Sequence, residues 1–402
     1  MIAPEPFFEP RGTPFSEFHR IRALTALGHE IDLVTYPFGA DVTLPGLRVF
    51  RCLRPPFVRR VKVGPSLAKI PLDALLTLTV LRRVLASRYD AIHSHEEGGL
   101  IGAALATLLR VPHVYDMHSS LPQQLSNFAF SHSRWMKRMF FEIERFMIRR
   151  SRVVIVICPA LEETVRAIEP RAHTIVIENA PGSIVDGAAP EAASALRQSL
   201  GIGAETPLVI YTGTFEAYQG LDLLFDAMAV VGRERPDVRL LLAGGQPGQI
   251  DRAKLQARAA SIDALTIFAG ERPAAEIPAF LQAADVLVSP RCRGTNTPLK
   301  IYQYLRSGKP IVATRLLTHT QVLNDETAIL TAPTAAEFAR GILTALTDRD
   351  RARRVGRMAR ELADSKYTEQ AYMERTREVC AALAAPPPAA QVRDSAAFKD
   401  LA

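Results

Sequence analysis

The chain has 402 residues, 48% apolar and 23% charged, which is the balance of a globular protein of about two domains and excludes disordered and collagen-like classes. Cys52, Cys158, Cys292 and Cys380 stand far apart with no Cys-x-x-Cys spacing, which argues against a disulfide framework or structural zinc and fits a reducing cytoplasm. The net charge of +7 is uneven: residues 1–185 carry 23 Lys/Arg against 17 Asp/Glu, or +6, and residues 186–402 carry 26 against 25, or +1. Without a zinc-finger or RNP-like pattern beside it, this basic half points away from nucleic acid and toward an anionic surface or a phosphorylated substrate.

No run of eighteen apolar residues is present, and the opening MIAPEPFFEPRG lacks the basic start and apolar core of a signal peptide. A cytoplasmic protein is expected, without a spanning helix. Residues 1–3 read as the remnant of an opening strand, short enough to suggest a start further upstream. A Gly loop at Arg11-Gly12 leads into a helix with Phe15, Phe18, Ile21, Leu24 and Leu27 on its apolar side, a stop at Gly28, and a strand at 31–35. Residues 54–69, RPPFVRRVKVGPSLAK, form a basic and partly apolar loop in which Arg59, Arg60 and Lys62 alternate with Phe57, Val58, Val61 and Val63; a solvated connection and an acceptor or membrane contact are both open for it.

A helix at 71–87 precedes a strand at 91–94, whose end carries His93, His95, Glu96 and Glu97, where open α/β sheets bind ligands. A metal site is not expected there, since nothing else completes a ligand set. After a helix at 100–109 and a strand at 112–115, Asp116 and His118 again close a strand. Residues 134–150 form an amphipathic helix with six Lys/Arg and with Trp135, Met136, Met139, Phe140, Ile143 and Met147 at helical spacing, expected to pack into the domain, with interfacial membrane contact as the alternative. A strand at 153–157, a helix at 159–168 and a strand at 175–177 complete the half, and Glu178-Asn179-Ala180-Pro181-Gly182 reads as a hinge.

The second half starts again as a doubly wound domain, with strands at 208–212, 240–243, 265–268 and 285–289 and a Gly loop at 213–220. Its centre is SPRCRGTNTPLKIYQYLRSGKPIVAT, residues 289–314. Gly294 permits a tight turn, Asn296 or Thr297 can cap the next helix, Pro298 suits its first position, and Gly308 followed by Pro310 ends it. Unpaired amides at 297–299, the helix dipole and Lys300 together make a seat for a phosphate. A helix at 364–382 and a Pro/Ala-rich tail from 385, read as disordered, end the chain.

The order of small-residue loop, Pro-Leu-Lys-Ile-Tyr helix and Gly-Lys-Pro-Ile-Val-Ala-Thr strand resembles the donor segment of glycosyltransferase family 4, retaining enzymes of the GT-B fold. The resemblance extends over nearly the whole chain. It implies an α/β architecture of two doubly wound Rossmann-like domains facing a central cleft: residues 1–180 on the acceptor side, 181–363 on the nucleotide-sugar side, a crossover helix at 364–384 that returns to the first domain, and the tail at 385–402. It further implies metal-independent transfer, with no cofactor beyond a nucleotide-sugar donor, to a glycan or lipid-linked acceptor; the basic first half adds the expectation of a cytoplasmic enzyme at the inner membrane face.

By the same resemblance His118 lies near the transferred sugar and Lys300 at the donor phosphates, with Arg11, Gly12, Gly213, Thr214, Gln219, Thr295, Asn296, Thr297, Pro298 and Leu299 around the donor. Gln303 is implied at the ribose, Glu271 and Arg272 at the base, and His95, Glu96, Arg59 and Arg60 at the acceptor. The chain departs from the family pattern at four of these. Thr295 and Gln303 stand where two glutamates are usual, and Thr214 and Gln219 where two cations hold the diphosphate, so that Lys300, Arg291, Arg293 or Arg11 would have to supply the charge. These departures keep open a non-catalytic partner protein of the same fold, and a sugar-nucleotide epimerase is a further alternative. A phosphorylase is disfavoured by length and by the lack of a persuasive pyridoxal lysine.

Overall fold

Short apolar runs separated by helices give strands covered on both faces, the condition that parallel sheets impose. The structure, a computed structural model, describes residues 1–8, 12–58, 61, 69–122, 133–178 and 190–386. Arg11, Arg59, Arg60, Lys62, the turn at 179–182 and the tail from 387 lie outside these residues. The chain divides into two units, Met1–Glu178 with Tyr372–Ala402, and Asn179–Ala371.

In the first unit β1 (Ile2–Ala3), β2 (Ile31–Thr35), β3 (Leu47–Arg51), β4 (Ile92–His95), β5 (His113–Met117), β6 (Val153–Val156) and β7 (Thr174–Val176) form a seven-stranded sheet in the order β3-β2-β1-β4-β5-β6-β7. Every pairing recorded in it is parallel. The helices are α1 (Gly12–Ala26), α2 (Lys69–Ala86), α3 (Gly98–Leu109), α4 (Arg134–Arg150) and α5 (Pro159–Ile168). Leu72, Leu76 and Val80 of α2, Leu105 and Ala106 of α3, Met147 of α4 and Leu161 of α5 pack on one face of the sheet. Ile21 of α1 packs with Ala3, Ile31 and Leu33 on the other.

The second unit contains α6 (Pro190–Ser199), β8 (Leu208–Thr212), α7 (Leu221–Glu234), β9 (Arg239–Ala243), α8 (Pro247–Ala259), β10 (Thr266–Gly270), α9 (Ile277–Ala283) and β11 (Val286–Ser289). It continues with α10 (Leu299–Ser307), β12 (Ile311–Thr314), α11 (Leu317–Thr320), β13 (Ile329–Thr331), α12 (Ala335–Thr347) and α13 (Arg349–Lys366). Its six-stranded sheet runs β10-β9-β8-β11-β12-β13, again parallel. In both sheets the chain winds outward one way and then the other, reversing at β1/β4 and at β8/β11. Ligands of open α/β sheets bind at such reversals, beyond the carboxyl ends of the strands.

Four local expectations change. Strand β3, Leu-Arg-Val-Phe-Arg, was not expected; it sits at the sheet edge with its Arg48 on Asp32 of β2 at 2.7 Å. Helix α1 buries Glu17 and Arg20, whereas Phe15, Phe18 and Leu24 are only partly buried. The helix expected at 364–382 is two helices: Tyr367 ends α13 with its ring edge-on to Tyr302, and Thr368 accepts the Ala371 amide at 3.1 Å to start α14 (Glu369–Ala384). From Tyr372 onward the chain belongs to the first unit, where Val379 joins the core of Val153, Ile155 and Ile175. Finally, Pro298 is the residue before α10 rather than its first helical residue, and its own side chain makes no cap bond there. Gly308 does end α10, in the left-handed conformation at φ +70.

Among the described residues no helix is long and apolar enough to cross a membrane. The approach of the 213–220 loop to the 290–298 loop depends on Gly220, which has φ +74 and on which a Cβ would overlap the Pro290 carbonyl. Gly220→Ala is therefore expected to cost about 1–3 kcal/mol, read as a lower midpoint in urea unfolding.

Candidate functional site

The loops after β8 and β11 meet where the second sheet reverses, and Lys300, in the first turn of α10, sits among them. Its side chain is 8% exposed, its Nζ lies 3.7 Å from the centre of the Tyr211 ring, and it has no hydrogen-bond partner among the described residues. Burial, with Arg291 adding to it, holds this ammonium well below the usual lysine range. Tyr211 is itself fixed by donating to Thr214 O at 2.7 Å, and the Thr212 amide donates to Tyr304 Oη at 2.9 Å. Gly213 follows directly, close enough that a Cβ there would lie 3.3 Å from Lys300 Nζ.

Thr214 and Gln219, which stand where cations were expected, touch one another: Gln219 Nε2 donates to Thr214 Oγ1 at 3.5 Å. They tie the loop to itself and bring no charge. The Arg291 guanidinium lies over the Tyr218 ring at 5.1 Å. Thr297 is buried with its hydroxyl unpartnered, and the Asn296 and Thr295 carbonyls are taken by Thr318 Oγ1 at 2.7 Å and Gln321 Nε2 at 2.6 Å. Gln303 is partly buried one turn further along α10, on which Leu299 and Lys300 occupy the first turn after Pro298. Glu271 and Arg272 are exposed after β10, Arg272 donating to Ala269 O at 2.9 Å.

The reversal of the first sheet gathers a different set. Arg20 Nε donates to Asp116 Oδ2 at 2.9 Å with both side chains buried. His93 Nε2 lies 3.2 Å from the same oxygen, His118 Nε2 lies 3.3 Å from Asp116 Oδ1, and His95 Nδ1 lies 3.4 Å from His118 Nε2. Burial pushes the Asp116 carboxyl up, but Arg20 and the histidines outweigh it and hold it well below the usual range. His95 is fully buried, with Glu17 Oε1 3.8 Å from its Nδ1, and burial lowers it far below the ordinary imidazole value. The partly exposed group beside it is Glu96. Glu96 has φ +46, accepts from Ser119 Oγ at 3.1 Å, and is raised well above a normal carboxyl by burial and by Glu97 and Glu5. A backbone of that kind in a non-glycine residue is uncommon and concentrates at functional sites.

His93, His95 and Asp116 offer ligand atoms within 4.8 Å of one another. Arg20 already occupies the carboxylate side of that set, so it reads as a charge network. The Asp-x-Asp spacing at Asp348 and Asp350 is likewise structural: Asp348 caps α13 through the Arg351 amide and Asp350 pairs with Arg353. Sequence reasoning brought His95, Glu96, Asp116 and His118 to adjoining strand ends but missed Glu17 and Arg20. Their i, i+3 spacing on α1, in line with Ile21, was the available signal. Gly12, at φ +52, begins that helix.

Removing Arg20 would leave a buried, unpaired carboxylate. Arg20→Met is expected to destabilise the protein by about 3–5 kcal/mol, and Arg20→Met with Asp116→Leu by less, since no unpaired charge remains. Denaturant unfolding of both variants checks this. Because the Asp116 pKa is depressed on folding, its contribution is full above the unfolded carboxyl value and is lost only as pH falls through the folded one, in strong acid.

Two family models match the chain: "Glycosyl transferase 4-like domain" over residues 19–180 and "Glycosyl transferases group 1" over residues 193–362. Among curated relatives, D-inositol 3-phosphate glycosyltransferase of Corynebacterium jeikeium is 25% identical over 284 residues, 67% of this chain and 66% of its own length. The 2-deoxystreptamine N-acetyl-D-glucosaminyltransferase of Streptomyces fradiae is 31% identical over 265 residues, 62% of this chain and 61% of its own length. The matched region thus spans slightly less than two thirds of each relative. Among solved structures, HepE of Anabaena in complex with UDP superposes with a TM-score of 0.75 at 21% identity, covering 94% of this chain and 99% of that one.

Proposed function

From a chain that belongs to the group 1 glycosyl transferases, with two parallel α/β sheets in the GT-B manner, we propose an enzyme that moves a sugar from a nucleotide-sugar donor held by its second unit to an acceptor hydroxyl held by its first. The observation that carries this reading is Lys300: a buried ammonium with no acceptor among the described residues, at the carboxyl end of β8 and the amino end of α10. A diphosphate leaving group supplies the missing negative charge. The relative crystallised with UDP supports a nucleoside diphosphate as the donor's carrier.

The roles follow from charge development. As the glycosidic bond to the diphosphate breaks, negative charge grows on the leaving oxygens, and the amides of Thr297 and Leu299, with Lys300, stabilise it without reorganising. The acceptor hydroxyl approaches the same face of the sugar, giving retention. His118, fixed by Asp116, is assigned beside the sugar, and Glu96 to the acceptor. Gln303 is assigned to the ribose and the backbone about Glu271 and Arg272 to the base; no metal or further cofactor is required. Gly213, Thr214, Gln219 and Thr295 shape the donor loops.

Lys300→Ala is expected to lower transfer about 10²–10³-fold in assays with a panel of UDP- and GDP-sugars, and Lys309→Ala much less. Lys309 lies beyond the helix stop, where Asp285 acts on its charge. Equal losses would remove Lys300 from the site. Because a diphosphate would raise the lowered Lys300 pKa, UDP binding should be linked to proton uptake over the pH range in which the unliganded Lys300 titrates, and should lose that linkage in Lys300→Ala, as calorimetry in buffers of different ionisation enthalpy shows.

The acceptor is assigned as a glycan or lipid-linked sugar near an anionic membrane face. Supporting this, Ile70, Leu78, Leu81 and Leu85 form an exposed apolar stripe along α2 with Arg82 at its flank, and Trp135 is 71% exposed beside exposed Arg134 and Arg138 on α4. Phe140 and Ile143 of α4 pack inward as expected. Each cation near such a surface contributes about 1 kcal/mol, which makes attachment reversible and salt-sensitive. Sedimentation with anionic vesicles should carry the protein down at low salt, and Leu85→Ser with Trp135→Ala should keep it in the supernatant.

A further inference from the structure

The loop ahead of α10 is suspended by its carbonyls. Thr314 Oγ1 donates to Arg291 O at 2.6 Å, Gln321 Nε2 to Thr295 O at 2.6 Å and Thr318 Oγ1 to Asn296 O at 2.7 Å. Beneath them His319 is fully buried, its Nδ1 donating to Thr314 O at 2.8 Å and its Nε2 accepting from Ser289 Oγ at 2.8 Å, so the end of β12 and the start of α11 form one fixed frame. Burial keeps this imidazole neutral, at a pKa of about 3.

In a trans peptide the N–H that follows a carbonyl points the opposite way. A carbonyl held toward the 314–321 frame therefore aims the next amide away from it. The first of the three shows the rule at work: the Cys292 amide, which follows the Arg291 carbonyl, donates across to Tyr218 O at 3.1 Å in the 213–220 loop. The amides of Asn296 and Thr297 follow the other two held carbonyls. They are turned away from the frame, next to the first turn of α10. There Thr297 Oγ1 and Lys300 Nζ are both unpartnered in side chains only 7% and 8% exposed. Two buried groups able to donate, with no acceptor supplied by the described residues, mark a place completed by an acceptor-rich ligand.

We propose that Thr318 and Gln321 are positioning residues of the donor site, which aim the Asn296 and Thr297 amides at the donor diphosphate by holding the Thr295 and Asn296 carbonyls. This rests on the reading that the second unit seats a nucleoside diphosphate. It also gives the loop its order in a chain with Thr295 where a carboxylate was expected: side chains from α11 and just beyond it hold the backbone.

The test uses the full chain with UDP, GDP, inorganic pyrophosphate, uridine and guanosine as probes in titration calorimetry, and Thr318→Val, Thr318→Ser and Gln321→Met as variants. Thr318→Val and Gln321→Met should each weaken the preferred diphosphate nucleotide and pyrophosphate about tenfold, as loss of one hydrogen bond implies, while leaving the matching nucleoside unchanged. Thr318→Ser keeps the hydroxyl and should bind as the native protein does. Equal weakening of nucleoside and nucleotide would show a loop that has merely loosened and would overturn the proposal, as would unchanged pyrophosphate binding in both variants or a failure of serine to restore it. A native protein that binds none of the phosphate probes would sink the donor reading along with it; native binding lost in Lys300→Ala but kept in Thr318→Val and Gln321→Met would sink the positioning role alone.

Discussion

An ammonium held against an aromatic face, with no acceptor among the described residues, sets the terms for the second unit. Burying a lysine charge costs several kcal/mol, and contact with a tyrosine ring returns about 0.5–2 kcal/mol. The Tyr211 contact cannot offset the burial of Lys300, so the unliganded site either sheds the proton or waits for an anion. The rest of the unit can tolerate this because its core is made elsewhere. Val209, Tyr211, Leu224, Phe225 and Phe338 pack on one side of the sheet, and Ile210, Leu241, Ile301, Leu305 and Ile311 on the other. The unmet charge sits at the strand ends, where the reversal of the sheet leaves loops instead of helices.

The first unit resolves the same geometric situation in the opposite way. At its reversal the charges meet partners within the protein: Arg20 with Asp116, Lys69 with Glu97 at 2.7 Å, and Ser119 with Glu96. Burial, with Glu5 and other neighbouring carboxylates adding to it, pushes the Glu17 carboxyl well above the usual range. The first unit thus meets its charges from within, whereas the second leaves the Lys300 side chain without a hydrogen-bond partner among the described residues.

The departures from the family pattern take on physical content in this light. Thr214 and Gln219 close a hydrogen bond with each other, so a loop that has lost its cations is not left disordered. Thr295 contributes its backbone carbonyl to Gln321, and Thr318 takes the next one. Charge is concentrated on Lys300 and Arg291 while order comes from the frame of residues 314–321.

What the sequence by itself determined is whatever depends on near neighbours along the chain. Apolar runs and helical spacing placed most strands and helices to within a few residues; Gly308 announced the end of α10; Lys300 stood visibly in the first turn of a helix behind a glycine loop. Edge strand β3 escaped because its half-polar pattern stabilises only when β2 supplies the ladder, and the break at Tyr367 escaped because it depends on packing against Tyr302, sixty-five residues earlier. The burial of Glu17 and Arg20, the lack of an acceptor for Lys300 among the described residues and the grip of Thr318 and Gln321 on the loop ahead of α10 were decided by tertiary structure alone. Each is a relation between groups on different strands and helices, and charge, desolvation and hydrogen bonding act through distance in space, which spacing in sequence does not specify.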